Sequence, residues 1–90
     1  MQEDQVARVV EALRAQGVLA HVHREGVYKV GVRVVIPDGR EVVWDTDGAA
    51  GLEATILRDG VLVGFVPTIE GSESFDDAQT VAAIAATTYD

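Results

Sequence analysis

Two histidines one residue apart, His21 and His23, are the first residues whose spacing could do chemistry. On a β-strand they lie on the same face about 7 Å apart, a spacing that metal sites use. A site needs a third ligand from the neighbouring strand, and the turn predicted below places Lys29 beside His21. Because an ammonium group is a poor neighbour for a cation, the pair is interpreted as two histidines on a solvated strand face.

A second candidate is the acidic run Asp45-Thr46-Asp47-Gly48 followed by Glu53, which is similar to a calcium-binding loop. In an EF-hand the glycine is residue six and a bidentate glutamate is residue twelve. Aligning Gly48 with the sixth position puts Val43 at the first and Ala54 at the twelfth, so both anchoring ligands are missing. The loop Asp47-Gly48-Ala49-Ala50-Gly51 is interpreted as an irregular connection or bulge, and no metal or other cofactor is predicted.

Catalytic patterns are also incomplete. Ser72 and Ser74 are the serines, and neither has a histidine near it in sequence. There is no Gly-x-Ser-x-Gly elbow and no phosphate-binding loop, and Lys29 is the single lysine. With no cysteine, thiolate catalysis and zinc-thiolate sites are excluded. The sequence therefore predicts a protein that is not an enzyme.

The stretch from Pro67 to Asp77 is the most suggestive for binding, because it combines four acidic residues with two apolar ones and has no basic residue. One interpretation is a solvated connection whose aspartates favour the start of a helix. The other is an acidic recognition loop for a basic protein partner, with Ile69 as its anchor. Its candidate interaction residues are Ile69, Glu70, Glu73, Phe75, Asp76 and Asp77.

The net charge allows a basic partner, although many acidic proteins use their charge only to stay soluble. The chain has 90 residues and a formal net charge of −8; residues 1–40 carry six basic and five acidic groups, residues 41–90 one basic and ten acidic. Nucleic acid and anionic membranes are therefore disfavoured as partners. The length suits a single domain over residues 1–90. The acidic start has no apolar segment typical of a signal peptide, which favours the cytoplasm.

The elements that must position these residues follow from periodicity. Val6, Val9, Val10 and Leu13 form one helical stripe, and alternating residues at 18–23 and 27–36 predict strands. A second helix is expected from Asp77 to Thr88, capped by Ser74 in a capping box with Asp77. The order is α-β-β-β-β-β-α, an α+β fold with an antiparallel, meander-like sheet and terminal helices packed on it.

Turn residues predict how the strands pair. Pro37-Asp38-Gly39 opposes Val32 to Trp44, which buries that tryptophan. A three-residue turn at Arg24-Glu25-Gly26 opposes Val22 to Tyr28 and Ala20 to Val30. Asp59-Gly60 opposes Ile56 to Val63 and Ala54 to Phe65. This last register gathers five apolar residues on the core face: Leu52, Ala54, Ile56, Val63 and Phe65.

The opposite face of the predicted sheet is more apolar than a solvated face should be. Either one helix covers each face, or a partner, such as a second copy in a homodimer, covers the second face. The apolar residues expected on that second face are Leu19, Val35, Val43, Leu57, Leu62 and Val66.

The second half of the chain, from Gly39-Arg40 through Arg58-Asp59-Gly60-Val61-Leu62-Val63-Gly64-Phe65-Val66-Pro67 to Ala82-Ala83-Ile84-Ala85, resembles small uncharacterised proteins of high-GC actinobacteria. The resemblance covers about half of the chain and implies a bacterial protein, with no catalytic motif. The resemblance brings no known function with it. From the incomplete catalytic patterns and the acidic segment, we expect a non-enzymatic protein-interaction module. The alternatives are a small-molecule-binding protein or minor enzyme, and an inhibitor or immunity-type protein that neutralises a cationic partner.

Overall fold

The helices and strands follow the predicted order. The computed structural model describes residues 2–25, 29–46 and 51–89. Within them a five-stranded antiparallel sheet has the strand order β1-β2-β3-β4-β5, so the predicted α+β meander is confirmed. The elements are α1 (Glu3–Ala15), β1 (Ala20–Glu25), β2 (Lys29–Val35), β3 (Arg40–Thr46), β4 (Leu52–Arg58), β5 (Val61–Val66), a short 3₁₀ helix (Ser72–Ser74) and α2 (Asp77–Ala86).

Helix α1 is amphipathic as predicted. The four residues of its apolar stripe, Val6, Val9, Val10 and Leu13, are all buried. Acidic residues occupy the first turn and a basic residue the last, which suits the helix dipole. The stripe packs into one hydrophobic core with residues of the sheet and of α2.

The β2–β3 hairpin has the predicted register, with Val32 opposite Trp44 and Val34 opposite Val42. Gly39 takes a φ of +96°, and its amide donates to the carbonyl of Ile36 at 3.0 Å. Only glycine adopts that φ without strain, so the turn residues determine the pairing. Trp44 is fully buried, as the alternation predicted.

The predicted β1–β2 register is wrong. Ala20 lies opposite Val34, where Val30 was expected, and Val22 lies opposite Val32. The strands pair as far as Glu25 and Lys29, so Arg24 and Glu25 belong to β1; the expected partner Tyr28 lies outside the described residues. The shift is four residues along β2, and because it is even, every side chain keeps the face that alternation predicted.

The β4–β5 turn is correct, but the register beyond it is not. Asp59 and Gly60 both have positive φ, as a two-residue type I′ turn requires. After Leu57 pairs with Leu62, the register shifts by one, and Ile56 then lies opposite Gly64. This is a β-bulge, in which one strand contributes an additional residue.

The bulge reverses the predicted faces of the rest of β5. The core was expected to contain Val63 and Phe65, but their side chains are 54% and 71% exposed. Val66, expected on the opposite face, lies across from Ala54 and packs against the core. A shift of one residue exchanges inward and outward side chains, and a bulge causes such a shift.

Both helices pack on the same face of the sheet. Helix α1 contacts β1, β2 and α2, and the buried residues of α2, Val81 and Ile84, belong to the same core as Trp44. Of the two alternatives that the sequence left open, the one with a helix on each face is therefore wrong, and cover of the second face by a partner stays a prediction. No described helix covers the opposite face, which we call the outer face.

The segment after α2 returns to the core, a feature that the sequence did not predict. The Trp44 indole Nε1 donates to the Tyr89 hydroxyl at 3.0 Å, and the two rings meet edge to face with their centroids 6.5 Å apart. Arg40 donates to the Tyr89 carbonyl. Burial raises the pKa of the Tyr89 phenol above its ordinary value.

Candidate interaction surface

The outer face consists of the side chains that alternate with the buried ones along the strands. Its central row across the sheet contains Arg33, Val43, Thr55 and Phe65, each directly opposite the next on the neighbouring strand. In the adjacent row His23 lies opposite Gly31, and Asp45 lies opposite Glu53. Polar and apolar groups are therefore mixed on this face.

The residues of these two rows other than Arg33 line a groove of about 660 Å³. That volume falls within the range of about 300–1,000 Å³ typical of ligand sites. Gly31 contributes no side chain, so the groove has an open floor between β1 and β3. The groove is lined by His23, Glu25, Lys29, Gly31, Val43, Asp45, Glu53, Ala54, Thr55, Phe65, Val66, Pro67 and Thr68.

Gly31 is also required by the backbone. A β-carbon at this position would lie 2.4 Å from the carbonyl oxygen of Trp44, a distance that non-bonded atoms do not tolerate. Any larger residue would have to move β2 away from β3. The open floor of the groove is therefore a consequence of close strand packing.

The charged groups of the groove are mainly acidic. The side chains of Asp45 and Glu53 face each other across β3 and β4, and Thr68 donates to Glu53 Oε2 at 3.1 Å. Lys29 Nζ lies 3.7 Å from Asp45 Oδ2 and 3.8 Å from Glu25 Oε2. The described lining therefore has three carboxylates and one ammonium group, an excess of two negative charges with histidine neutral.

The two histidines do not act as a pair. His21 Nδ1 lies 2.9 Å from an Arg14 guanidinium nitrogen of α1, whereas His23 lines the groove. Among the described residues, no three histidine, cysteine or acidic side chains are arranged to hold a metal ion. Of the proposed calcium-type loop, Asp47 and Gly48 lie outside the described residues, and Asp45 lies in β3. The absence of a metal site remains a prediction.

The acidic segment 67–77 is held firmly to the start of β4. The Ile69 amide donates to the Leu52 carbonyl at 2.9 Å, and its side chain packs against the core. The buried Ser72 hydroxyl accepts from the Leu52 amide at 2.7 Å and donates to the Ile69 carbonyl at 2.5 Å. Ile69 and Ser72 therefore attach the segment to the domain.

Two of the candidate acids in this segment also have internal partners. Asp76 accepts from the Gln79 amide at 2.8 Å, and the Gln79 side chain accepts from the Asp76 amide, which completes a capping box. The predicted cap, Ser74, is wrong: its hydroxyl donates to the Gly71 carbonyl at 3.1 Å. Asp76 is the N-cap instead, because α2 starts at Asp77.

Asp77 joins the two helices. Arg8 of α1 donates to Asp77 Oδ2 at 2.6 Å, and this hydrogen bond lowers the pKa of the Asp77 carboxyl. Glu70 and Glu73 are exposed, and Phe75 is half-buried. Of the six candidate interaction residues, these two glutamates are the ones whose side chains project most freely into solvent.

The largest exposed apolar group lies elsewhere, on β5. Val61, Leu62 and Val63 are 63%, 59% and 54% exposed, and Phe65 is more exposed still. Because β5 is the last strand of the sheet, its outer edge is unpaired in the described structure. Sequence patterning placed Leu62 on this face but Val63 and Phe65 in the core. Gly64, which directly follows the bulge, is the signal in β5 that could have indicated the change of face.

The chain was compared with protein-family models, curated proteins and solved structures. No protein-family model, curated protein or solved structure matches it significantly. The described helices also include none that is long and apolar enough to cross a membrane.

Proposed function

We propose that this chain is a non-enzymatic protein-interaction module of the bacterial cytoplasm, which binds its partner through β5 and the adjoining outer face. The observation that carries this proposal is the exposure of four apolar side chains on one edge strand. Large apolar side chains that are exposed close together on one strand commonly mark interfaces.

The composition of the surface also supports a protein partner. An interface combines an apolar, often aromatic, centre with a polar rim. Here Phe65 and Leu62 supply the apolar part, and the charged groups of the groove lie beside them. The bulge in β5 twists the edge strand, a device that discourages open-ended strand addition. Contact through side chains is therefore favoured over extension of the sheet.

The test compares two leucines of equal exposure. Leu62 on β5 and Leu19 before β1 are both 59% exposed, at opposite edges of the sheet. We expect Leu62→Ser and Phe65→Ser each to weaken association at least tenfold, as loss of an interface anchor does. Leu19→Ser should leave association unchanged. Association is measured by sedimentation for self-association and by affinity capture from the native cytosol, at low and high salt, for other partners.

Folding of each variant is checked by the emission of Trp44, the single tryptophan, which is fully buried. The proposal is contradicted if folded Leu62→Ser and Phe65→Ser associate as the parent chain does. It is equally contradicted if the parent chain is a monomer at high concentration and captures nothing that depends on these residues.

A small-molecule-binding function is the second candidate, because the groove has the volume of a ligand site. Such a ligand should bind at Phe65 without any effect of Leu62→Ser, since Leu62 does not line the groove. The two leucine variants and Phe65→Ser therefore also distinguish the two candidates.

A further inference from the structure

Two of the described turns contain the same reactive dipeptide, an aspartate followed by glycine. The sequence has three such pairs, at residues 38–39, 47–48 and 59–60, and the second lies outside the described residues. We infer that Asp59-Gly60 is a modification site, at which isoaspartate forms spontaneously, and that the fold protects Asp38-Gly39 from the same reaction. This inference does not rest on the proposed function.

The reaction rearranges the backbone and needs no reactant besides water. The Gly60 nitrogen attacks Cγ of Asp59, an N–Cγ bond forms, and one carboxyl oxygen leaves as water with the amide proton and the carboxyl proton. Glycine favours this step because it has no side chain to hinder its nitrogen. Water then opens the five-membered succinimide. Cleavage between the nitrogen and Cγ restores aspartate, whereas cleavage between the nitrogen and the backbone carbonyl carbon leaves the chain linked through Cγ, as isoaspartate.

Both reacting groups of the Asp59-Gly60 pair are exposed and unrestrained. Within the part of the chain that the structure describes, the Asp59 carboxylate has no hydrogen bond or ion pair, and the Gly60 amide donates no backbone hydrogen bond. A β-carbon on Gly60 would meet no atom within 4 Å, so the space around this residue is open. No contact therefore keeps the nitrogen and the carboxyl apart.

The Asp38-Gly39 pair is also exposed, but both of its reacting groups are held. The Gly39 amide donates to the Ile36 carbonyl at 3.0 Å. The Asp38 carboxylate accepts from the Arg40 amide at 3.0 Å and from Arg40 Nε at 2.7 Å. The hydrogen bond from the Arg40 amide lowers the pKa of the Asp38 carboxyl. A neutral carboxyl loses water more readily than a carboxylate, so this ionisation adds to the protection.

Isoaspartate changes the β4–β5 hairpin in which it forms. The two-residue turn places Arg58 opposite Val61, and an isoaspartyl residue adds one carbon atom to the backbone between them. Among the described strands β5 pairs only with β4, so its position depends on that turn. We therefore expect the amides of Val61 and Leu62 to exchange faster with solvent once Asp59 is converted.

The first experiment incubates the intact protein for several weeks at physiological temperature and neutral pH, once folded and once in denaturing guanidinium chloride. Peptide mapping with electron-transfer fragmentation distinguishes the two linkages at each aspartate. In the folded protein we expect at least tenfold more isoaspartate at Asp59 than at Asp38. In the unfolded protein the contacts of both turns are lost, and the two positions should differ less than threefold.

A matched pair of variants separates the hydrogen bonds from the ionisation of the carboxyl. Asp59→Asn and Asp38→Asn each form the same succinimide by loss of ammonia, which does not require a neutral carboxyl. When folded, Asp59→Asn should deamidate at least tenfold faster than Asp38→Asn, as measured by mass spectrometry. When unfolded, the two variants should deamidate at similar rates. Amide exchange of Val61 and Leu62 is followed by NMR in the converted Asp59→Asn sample.

The inference is overturned if the folded parent chain forms no isoaspartate at Asp59 or equal amounts at both positions. It is also overturned if the two folded variants deamidate at equal rates, because the sequence alone would then determine the reaction. Unchanged amide exchange at Val61 and Leu62 after conversion would contradict the expected effect on the hairpin.

Discussion

Removing the Tyr89 hydroxyl tests the contact that ties the segment after α2 to the core. In Tyr89→Phe the ring is retained, but the indole Nε1 of Trp44 loses its acceptor at 3.0 Å. Because Trp44 is fully buried, an unsatisfied donor there should cost about 1–3 kcal/mol of unfolding free energy. With a urea m-value of about 1–2 kcal/mol/M, the unfolding midpoint should fall by roughly 1 M.

The assay is urea unfolding followed by Trp44 emission, which reports one site because the chain has one tryptophan. Thr88→Ala, at an exposed neighbouring position, is the control and should leave the midpoint in place. A double-mutant cycle with Trp44→Phe, followed by circular dichroism, isolates the contact: in that background Tyr89→Phe should cost much less. A midpoint within about 0.2 M of the parent value would refute the reasoning.

The same contact predicts a dependence on alkaline pH. Burial raises the pKa of the Tyr89 phenol in the folded state above its ordinary value of 10.0. The neutral phenol therefore stabilises the fold below that pH, and this contribution is lost as the pH rises through the folded pKa. The stability difference between the parent chain and Tyr89→Phe should narrow in that range, and a constant difference would contradict the assignment.

Three further predictions concern other parts of the fold. Asp76→Ala should cost about 1 kcal/mol of unfolding free energy through loss of the α2 cap, whereas Ser74→Ala should cost less than about 0.5 kcal/mol. Urea unfolding measures both values, and equal values would contradict the assignment of the cap. Gly31→Ala should cost about 1–3 kcal/mol of unfolding free energy, because its β-carbon would lie 2.4 Å from a backbone carbonyl oxygen. Gly64→Ala should be tolerated, because the nearest atom to its β-carbon would be 3.8 Å away. Thermal unfolding of both variants measures the difference. Because the pKa of the Asp77 carboxyl is lowered in the folded state, the ionised carboxylate stabilises the fold above the ordinary aspartate pKa of 3.8. This contribution is lost as the pH falls through the folded pKa. In an acid titration, Asp77→Asn should therefore lose stability less steeply than the parent chain.

The predictable parts of the fold are those where local chemistry determines the geometry. The stripe of α1 needs only a helical period, and Pro37-Asp38-Gly39 sets its hairpin through one glycine at positive φ. The burial of Trp44 followed directly from that hairpin. At Arg24-Glu25 the same reasoning failed, because two polar residues extend a strand as readily as they form a turn, and the longer pairing was preferred.

The candidate site could not be predicted in the same way, because it is formed by contacts between residues that are far apart in the sequence. The bulge near Val63 is marked in the residue types by Gly64 alone, which fits a regular strand position equally well, yet it decides whether Phe65 is core or surface. The groove joins side chains from all five strands and the residues after β5, so its acidic pair could be recognised only after the register of β3 and β4 was known. In segment 67–77, the acidic pattern was visible, but attachment through Ser72 and Ile69 depends on contact with β4.

Because both helices cover the same face, the core and the exposed groove are formed by alternate residues of the same strands. On β3, Trp44 belongs to the core, whereas Val43 and Asp45 on either side of it line the groove. Substitutions of outer-face side chains, with the exception of Gly31, can therefore accumulate without disturbing the packing of the core. A lineage carrying this fold can change the chemistry of this exposed face one residue at a time while the same scaffold persists, which makes the sheet a suitable starting point for selecting binding specificities.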